Sequence, residues 1–169
     1  MLCGLALVGT FGISCGYTLV DYQTPPDGMS SVSIQTFSNE SYEPGIELVV
    51  ADALRREFLR RGALAVLNDP ASADLVLSGS IDRIKTQSRS FSSVALTLEW
   101  EVTLALNIVA TLNDGTLIPV DRRAMRETER YLASADVEAT RKNREEALRK
   151  LSAVLAARTH DMLYEVYRP

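Results

Sequence analysis

A long stretch of the chain alternates between apolar and polar residues. Between Val94 and Leu112 every second residue is apolar, and most positions between them hold threonine, glutamate or asparagine. This period of two is typical of a β-strand with one buried face, because successive side chains of a strand point to opposite sides of the sheet. A strand of this length would span roughly 60 Å at about 3.3 Å per residue. We therefore expect a bend or a bulge within it.

Shorter patterns predict further strands before this one. Residues 32–37 and 73–81 alternate in the same way, and polar residues at 38–41 and 87–93 predict loops. Gly79 lies on the apolar side of the second of these strands. A glycine inside a strand commonly allows a bend or the close approach of another element, and we expect one of the two here.

A hairpin is predicted after the long strand. The sequence Asn113-Asp114-Gly115-Thr116 favours a tight turn, because glycine accepts the positive φ angle that such turns require. Residues 117–131 then form a returning strand that begins apolar and becomes heavily charged. Its charges and Pro119, which has no backbone N–H to donate, are typical of the edge of a sheet.

Apolar residues that recur every three or four positions predict two helices. The first runs from Pro44 to Gly62, and the second runs from Ala135 to about Tyr167 with Ser134 as its N-terminal cap. The predicted fold class is α+β, a two-layer sandwich of two helices on a roughly four-stranded, mostly antiparallel sheet. The apolar stripe of the second helix comprises Val137, Ala147, Leu148, Leu151, Val154, Leu155, Met162 and Val166.

The first residues indicate a secretion signal followed by a lipid attachment site. Residues 1–14 are uncharged, mostly apolar and too short to span a bilayer comfortably. Because the usual positive start is missing, either the start codon is placed too far downstream or the segment is not a signal. Cys15, between Ser14 and Gly16, resembles the lipidated cysteine of bacterial lipoproteins. The alternative is a buried thiol within an N-terminal hydrophobic segment.

Composition limits the remaining possibilities. The chain has 169 residues, of which 46% are hydrophobic and 24% charged, as suits one globular domain, here residues 31–169, behind a tether of residues 15–30. A formal net charge of −4 gives no general attraction for nucleic acid. Removal of a signal would leave Cys15 as the single cysteine, so no internal disulfide would form.

Few residues suit catalysis. The single histidine, His160, has no second histidine or cysteine beside it to share a metal, and we expect it at the surface or at a helix end. Glu99 and Glu101 share a strand face and form a candidate acid–base pair, although a solvated sheet face is the simpler interpretation. The arginines near the end of the first helix suit a solvated helix end better than an anion site. The sequence thus favours a binding or assembly protein without a metal or cofactor.

Several segments in the same order carry a resemblance to a known family. They are Cys15-Gly16-Tyr17, the strand at 32–37 with Asn39, the helix from Glu47 to Gly62, residues 73–79, the long strand, and residues 143–148. Together they resemble the LptE family of lipopolysaccharide-assembly lipoproteins. The resemblance covers essentially the whole chain and rests on the order of the elements rather than on one exclusive motif.

The resemblance implies a lipid-anchored protein on the periplasmic side of the outer membrane. Such a protein would plug the large β-barrel LptD, help that barrel to fold, and bind lipopolysaccharide on its way to the cell surface. The family fold, two helices on a four-stranded sheet, agrees with the pattern of the sequence. Family contacts to lipid A involve basic residues near one end of the sheet. Candidates here are Lys85, Arg89, Arg122 and Arg123, each of which also suits a solvated edge.

Three alternatives remain open at this stage. Residues 31–87 also resemble periplasmic lipoproteins of the CsgG and LpoB type, which build secretion pores or activate peptidoglycan synthases. A small periplasmic hydrolase using Glu99 or Glu101 is a second alternative. The alternation of residues 94–112 also suits a strand of a membrane barrel, but a single such segment cannot close a barrel.

Overall fold

Eight strand segments in one sheet, with two helices on one of its faces, make up the described part of the chain. The computed structural model describes residues 29–91 and 97–166. The predicted signal at residues 1–14, the lipidation of Cys15, most of the tether, residues 94–96 and Tyr167 lie outside the described residues. The elements are β1 (Ser31–Ile34), β2 (Ser38–Asn39), α1 (Ile46–Arg61), β3 (Ala65–Leu67), β4 (Leu75–Ile81), β5 (Lys85–Phe91), β6 (Thr97–Leu112), β7 (Leu117–Ile118), β8 (Arg126–Leu132) and α2 (Val137–Val166).

The sheet is organised around β6. Along one side of β6 the segments β4 and β5 pair with it in succession, and along the other side β7 and β8 do the same, all antiparallel. The segments β1 and β2 pair parallel with β4, and β3 pairs parallel with β1. The predicted α+β fold with a mostly antiparallel sheet is confirmed, although the sheet has more strand segments than four.

The alternation along β6 correctly identifies its buried face. Its even-numbered residues from Val102 to Ala110 are at most 8% exposed and lie in the core under the helices. The expected irregularity is in the pairing of β5 with β6, whose register shifts twice between Ser88 and Phe91. The first shift has an extra residue on β5 and the second an extra residue on β6. The strand β6 is nevertheless continuous from Thr97 to Leu112.

Two predicted loops contain strands. Residues 85–91 form β5, where the sequence predicts a loop at 87–93, and β2 lies within the predicted loop at 38–41. Apart from Phe91 these residues are polar, so no apolar alternation marks them as strands. Their extended conformation comes instead from hydrogen bonding to the neighbouring strands, since β5 pairs with β6 and β2 pairs with β4.

The returning strand is interrupted, contrary to the continuous strand expected over 117–131. The segment β7 ends at Ile118 and β8 begins at Arg126. Pro119 has no N–H to continue the ladder. A turn then forms, in which the carboxylate of Asp121 accepts the N–H of Arg123 (2.8 Å) and its carbonyl accepts the N–H of Ala124 (3.1 Å). The hairpin turn before it forms as predicted, with Gly115 at φ 86°.

The apolar stripe of α1 is also confirmed. Its buried residues include Val50, Leu54 and Phe58, and the backbone N–H of Gly62 bonds the carbonyl of Phe58 at 3.0 Å as the helix ends. The arginines beside this end contact carboxylates rather than forming an open anion site, since Arg60 and Arg61 both bond Glu57. Glycine suits this end because its φ of 75° is uncommon for residues with a side chain.

The start and the buried stripe of α2 differ in part from expectation. Asp136, not Ser134, caps the helix, because its carboxylate accepts the N–H of Glu138 at 2.9 Å. Val137 and Val154 are 83% and 41% exposed, so neither belongs to the stripe. The side chain of Val166 is outside the described part. The buried stripe comprises Ala147, Leu148, Leu151, Ser152, Leu155, Ala156, Thr159, His160 and Leu163.

The two helices run side by side in the same direction. Just before α1 begins, Glu43 bonds Arg144 in the first part of α2 at 2.7 Å. At the end of α1, Arg61 bonds Asp161 in the last part of α2 at 3.2 Å. Two buried hydroxyls of α2 are satisfied within the helix, since Ser152 donates to the carbonyl of Leu148 and Thr159 to that of Leu155, each at 2.8 Å. The helix pair therefore buries polar groups without leaving those hydroxyls unpaired.

A single carboxylate fastens the start of β1 to β4. One oxygen of Asp74 accepts the backbone N–H and the hydroxyl of Ser30, both at 2.8 Å, and those of Ser31 at 3.0 and 2.8 Å. The bond from the backbone of Ser30, followed by those from the two hydroxyls, lowers the pKa of Asp74 to about 2. The carboxylate therefore stays charged across the physiological pH range.

Candidate functional site

The sheet face opposite the helices carries a cluster of basic residues. Glu101 faces this side, since the even-numbered residues of β6 point to the helices. The residue paired directly with Glu101 on β8 is Arg130, while Thr103 and Ala105 pair with Lys85 and Arg126. Directly paired residues share a face of the sheet. We call this the basic face, and its basic residues are Lys85, Arg89, Arg126 and Arg130.

Two arginines of the basic face converge on Glu101. Its Oε2 lies 3.2 Å from Nε of Arg89 and 3.7 Å from Nε of Arg130. The carboxylate is 21% exposed, whereas the arginine side chains are 45% and 58% exposed. The basic face as a whole stays net positive, because its four basic residues outnumber the two carboxylates Glu99 and Glu101. Each guanidinium also has further N–H donors. Such an arrangement suits a multivalent anion such as a phosphate.

The candidate acid–base pair lies within this cluster. Glu101 contacts two arginines, and Glu99 lies two residues away on the same strand face. The Oε2 atom of Glu101 is engaged by both guanidinium groups. The geometry therefore suits Glu101 for holding Arg89 and Arg130 in place.

The structure does not bring the four nominated basic residues together. Lys85 and Arg89 belong to the basic face, but Arg122 and Arg123 lie exposed in the segment between β7 and β8. That segment is fixed to β6 near residues 106–110, where Leu106 donates its N–H to the carbonyl of Met125. At about 3.3 Å per residue, Arg89, opposite residues 99–101, is roughly 25 Å from it along the strand.

Two residues of the basic face are not among the four candidates that the sequence suggested. Arg126 and Arg130 lie on β8, in the sequence Arg-Glu-Thr-Glu-Arg. The period of a strand places these two arginines on one face and the two glutamates on the other. That alternation was a usable signal, but it becomes informative only once β8 is known to pair with β6 opposite Lys85 and Arg89.

His160 is buried in the helix interface, although the sequence predicts it at the surface or at a helix end. It is 1% exposed, with its ring 5.1 Å from that of Phe58 and stacked on Tyr164 at 4.5 Å. Burial lowers the pKa of His160, and the charge of Arg61 acts in the same direction, while Asp161 opposes both. Its position on the α1-facing side of α2 decides this burial, which a lone histidine in the sequence does not reveal.

The neutral state of His160 predicts a loss of stability in mild acid. The native pKa is below the ordinary value of about 6.5, so the unfolded chain binds a proton that the native chain excludes as the pH falls below 6.5. The free energy of unfolding should fall between pH 7 and pH 5, by at most about 1.4 kcal/mol per pH unit for one proton. Urea denaturation at several pH values measures this slope.

The variant His160→Gln provides the control. It removes the titrating group, so its free energy of unfolding should change less between pH 7 and pH 5 than that of the unmodified protein. Carboxylates with a lowered pKa, such as Asp74, lose their contribution to stability only at lower pH, as they become protonated. Equal slopes for the two proteins would contradict the assignment.

Neither metal sites nor membrane-spanning helices are found in the described residues. No group of three or more His, Cys, Asp or Glu residues within 29–91 and 97–166 is arranged to hold a metal ion. No helix in these ranges is both long enough and apolar enough to cross a membrane.

Solved structures with the same fold include several bacterial lipoproteins. The rare lipoprotein B from Shewanella oneidensis superposes with a TM-score of 0.54 at 13% identity, covering 78% of this chain and 95% of that one. Lipoprotein B from Nitrosomonas europaea gives 0.50 at 14%, covering 88% of each chain. A minor lipoprotein from Acinetobacter baumannii gives 0.50 at 14%, covering 81% and 94%. At such low identity these likenesses show a shared fold.

The sequence comparison gives the family directly. No curated protein matches the chain closely enough to count as a relative. Residues 29–163, which include every helix and strand described above up to the last turn of α2, match the family described as LptE, lipopolysaccharide-assembly. The resemblance found in the order of the sequence elements is therefore confirmed, and the chain belongs to the LptE family of lipopolysaccharide-assembly lipoproteins.

Proposed function

We propose that this protein is a lipid-anchored lipoprotein on the periplasmic face of the outer membrane. There it plugs an LptD-type β-barrel, assists the assembly of that barrel, and helps to insert lipopolysaccharide into the outer leaflet. The observation that carries the proposal is the match of residues 29–163 to the lipopolysaccharide-assembly family. Cys15 is the proposed lipidation site. The proposed role is binding and assembly rather than catalysis.

Within this role, the basic face is the proposed binding site for the phosphates of lipopolysaccharide. Arg89 and Arg130 are held about the same carboxylate, and Lys85 lies on the same face four residues from Arg89. Arginine binds phosphate through two parallel N–H donors, which gives both charge and geometric fit. Because the two arginines are already positioned by Glu101, binding orders fewer side-chain rotamers than it would for isolated surface arginines.

Paired substitutions should separate the basic face from the loop arginines. Replacing both Arg89 and Arg130 with alanine should weaken lipopolysaccharide binding by at least about tenfold, since a hydrogen bond to a charged group contributes about 1.5–3 kcal/mol. Replacing both Arg122 and Arg123 with alanine removes the same charge from the other half of the sheet and should change affinity by less than about threefold. Binding of purified lipopolysaccharide to the detergent-solubilised protein at fixed salt measures both.

Each outcome of this comparison decides between sites. A large loss only in the Arg122→Ala, Arg123→Ala protein would move the site to the segment between β7 and β8. Equally small losses of affinity in both proteins would show that neither group of arginines is the binding site. Because Arg89 and Arg130 contact Glu101, thermal denaturation of each variant must show that the fold is retained.

Capture of the natural partner tests the assembly role. The tagged full-length protein is isolated from its native outer membrane in mild detergent, and its partners are identified by mass spectrometry. A stoichiometric large β-barrel of the LptD type is the expected result. Recovery of a peptidoglycan synthase or a secretion-pore subunit without the barrel would favour the CsgG and LpoB type of function instead.

A further inference from the structure

The outer edge of β8 presents backbone groups that no described strand pairs with. Leu106 donates its N–H to the carbonyl of Met125 at 2.9 Å, and Ala133 donates to Leu98 at 3.0 Å. Alternate residues of a strand direct their backbone groups to opposite sides, so the odd-numbered residues of this segment face β6. The residues whose N–H and C=O point away from β6 are Arg126, Thr128, Arg130 and Leu132.

Side chains of α2 occupy the two ends of this edge. At one end Asn143 donates to the carbonyl of Leu132 at 3.0 Å. At the other, one nitrogen of Arg158 donates to the carbonyls of Ala124 and Arg126, each at 3.1 Å. In the middle, Thr128 donates its N–H to the carboxylate of Glu127 at 3.2 Å. The C=O of Thr128 and the N–H and C=O of Arg130 are therefore the groups of this stretch with which a further strand can pair.

A cleft between this edge and α2 lies next to the open stretch. It has a volume of about 160 Å³ and is lined by residues 129–132 of the strand segment and, on α2, by Asn143, Glu146, Ala147 and Lys150. On the other side of the strand, Arg126 and Arg130 project from the basic face. An added strand would therefore meet a cleft on one side and two positive charges on the other.

We propose that the edge of β8 is a docking site for an extended segment of a partner protein, which adds to the sheet as one more strand. The segment carries acidic residues on the side that faces Arg126 and Arg130, and aliphatic residues on the side that enters the cleft. Main-chain hydrogen bonds to the C=O of Thr128 and to the N–H and C=O of Arg130 hold it, and the alternating side chains select it. This inference combines the edge with the cleft and with Arg126 and Arg130 of the basic face, and it goes beyond the role in lipopolysaccharide assembly.

A second copy of this chain does not fit the same edge. In antiparallel pairing of two β8 strands, the register centred on Thr128 places Arg126 opposite Arg130. Registers centred on Glu129 or Arg130 place that residue opposite its own copy. Each of these arrangements sets like charges directly across from one another, which is destabilising. The charges thus disfavour self-pairing while they favour an acidic strand.

A synthetic peptide provides the test. The probe is an eight-residue peptide of alternating glutamate and valine, blocked at both ends and added to the full-length protein at neutral pH. Binding should slow amide hydrogen exchange at Arg130 by at least about tenfold. A lysine–valine peptide should give no protection because its charges oppose the arginines. The glutamate–valine peptide with every backbone nitrogen methylated should also fail, because it cannot donate to the carbonyls of the edge.

Charge reversal on the protein completes the test. In a protein with Arg126→Glu and Arg130→Glu, the preference should change from the glutamate to the lysine peptide. Arg126→Glu alone, which leaves Arg130 beside Glu101, should reduce binding of the glutamate peptide if the double variant does not fold. Absence of protection, equal binding of the methylated peptide, or an unchanged preference would overturn the proposal. The peptide assay contains no lipopolysaccharide, so its outcome does not test the proposed function. The lipopolysaccharide-binding and partner-capture experiments test that function separately.

Discussion

Replacing Gly79 with alanine is expected to lower the free energy of unfolding by more than about 4 kcal/mol, a size reached by few single substitutions. A Cβ atom at this position would lie 2.0 Å from the backbone oxygen of Asn107 and 3.0 Å from Cε1 of Phe37. The backbone oxygen cannot rotate away, so β4 and β6 would have to separate at the centre of the sheet. The φ angle of 155° adds backbone strain for any residue with a side chain.

Gly62→Ala is the matched control for this substitution. Gly62 also has a positive φ, 75°, but a Cβ there would have no atom within 4 Å. Its cost should be only the conformational penalty of about 1–2 kcal/mol. Urea denaturation of the two variants and the unmodified protein gives the comparison. Similar small losses for both would show that β4 and β6 tolerate separation at Gly79.

The sequence predicts the strands whose two faces differ in polarity. The alternation of β6 marks a half-buried strand, and the close approach expected at Gly79 occurs at Asn107. The strand β5 carries polar residues on both faces, so its extended form depends on pairing with β6 and has no local signal. The break between β7 and β8 depends on Pro119 and on the turn at Asp121, which compete with the ladder.

The basic face depends on strand register more than on residue type. Lys85 and Arg89 belong to the basic face because β5 pairs with residues 97–103 of β6. Arg122 and Arg123 instead lie in the interruption between β7 and β8, beside the other half of β6. Shifting the register of a strand by one residue would reverse the face of every side chain on it. A list of basic residues in the sequence therefore cannot show which of them meet, although the alternation in β8 places Arg126 and Arg130 together.

Polar residues inside the helix interface are a second limit of the sequence. Ser152, Thr159 and His160 are each 1% exposed. A stripe drawn through apolar residues alone misses them and extends instead to Val137 and Val154, which are exposed. The two hydroxyls donate to carbonyls one turn earlier in α2, so they enter the interface with their hydrogen bonds made.

Replacing Phe58 with alanine is expected to destabilise the protein by about 3–5 kcal/mol, the usual cost of removing a buried aromatic ring. Phe58 is 1% exposed at the end of α1 and contacts His160 edge to face. The neighbouring residue Leu59 is 63% exposed, so Leu59→Ala should change stability by less than about 0.5 kcal/mol. Urea denaturation at neutral pH measures both, and comparable losses would contradict the orientation of α1.

The same variant should also change the response to acid. Without the ring of Phe58, water gains access to His160, and its pKa should rise toward the ordinary value of about 6.5, because burial is the largest cause of its lowering. The native and unfolded chains would then bind this proton more equally, so the loss of stability from pH 7 to pH 5 should become smaller. A variant that is less stable at pH 7 but keeps the full slope would show that Arg61, rather than burial by Phe58, controls the histidine.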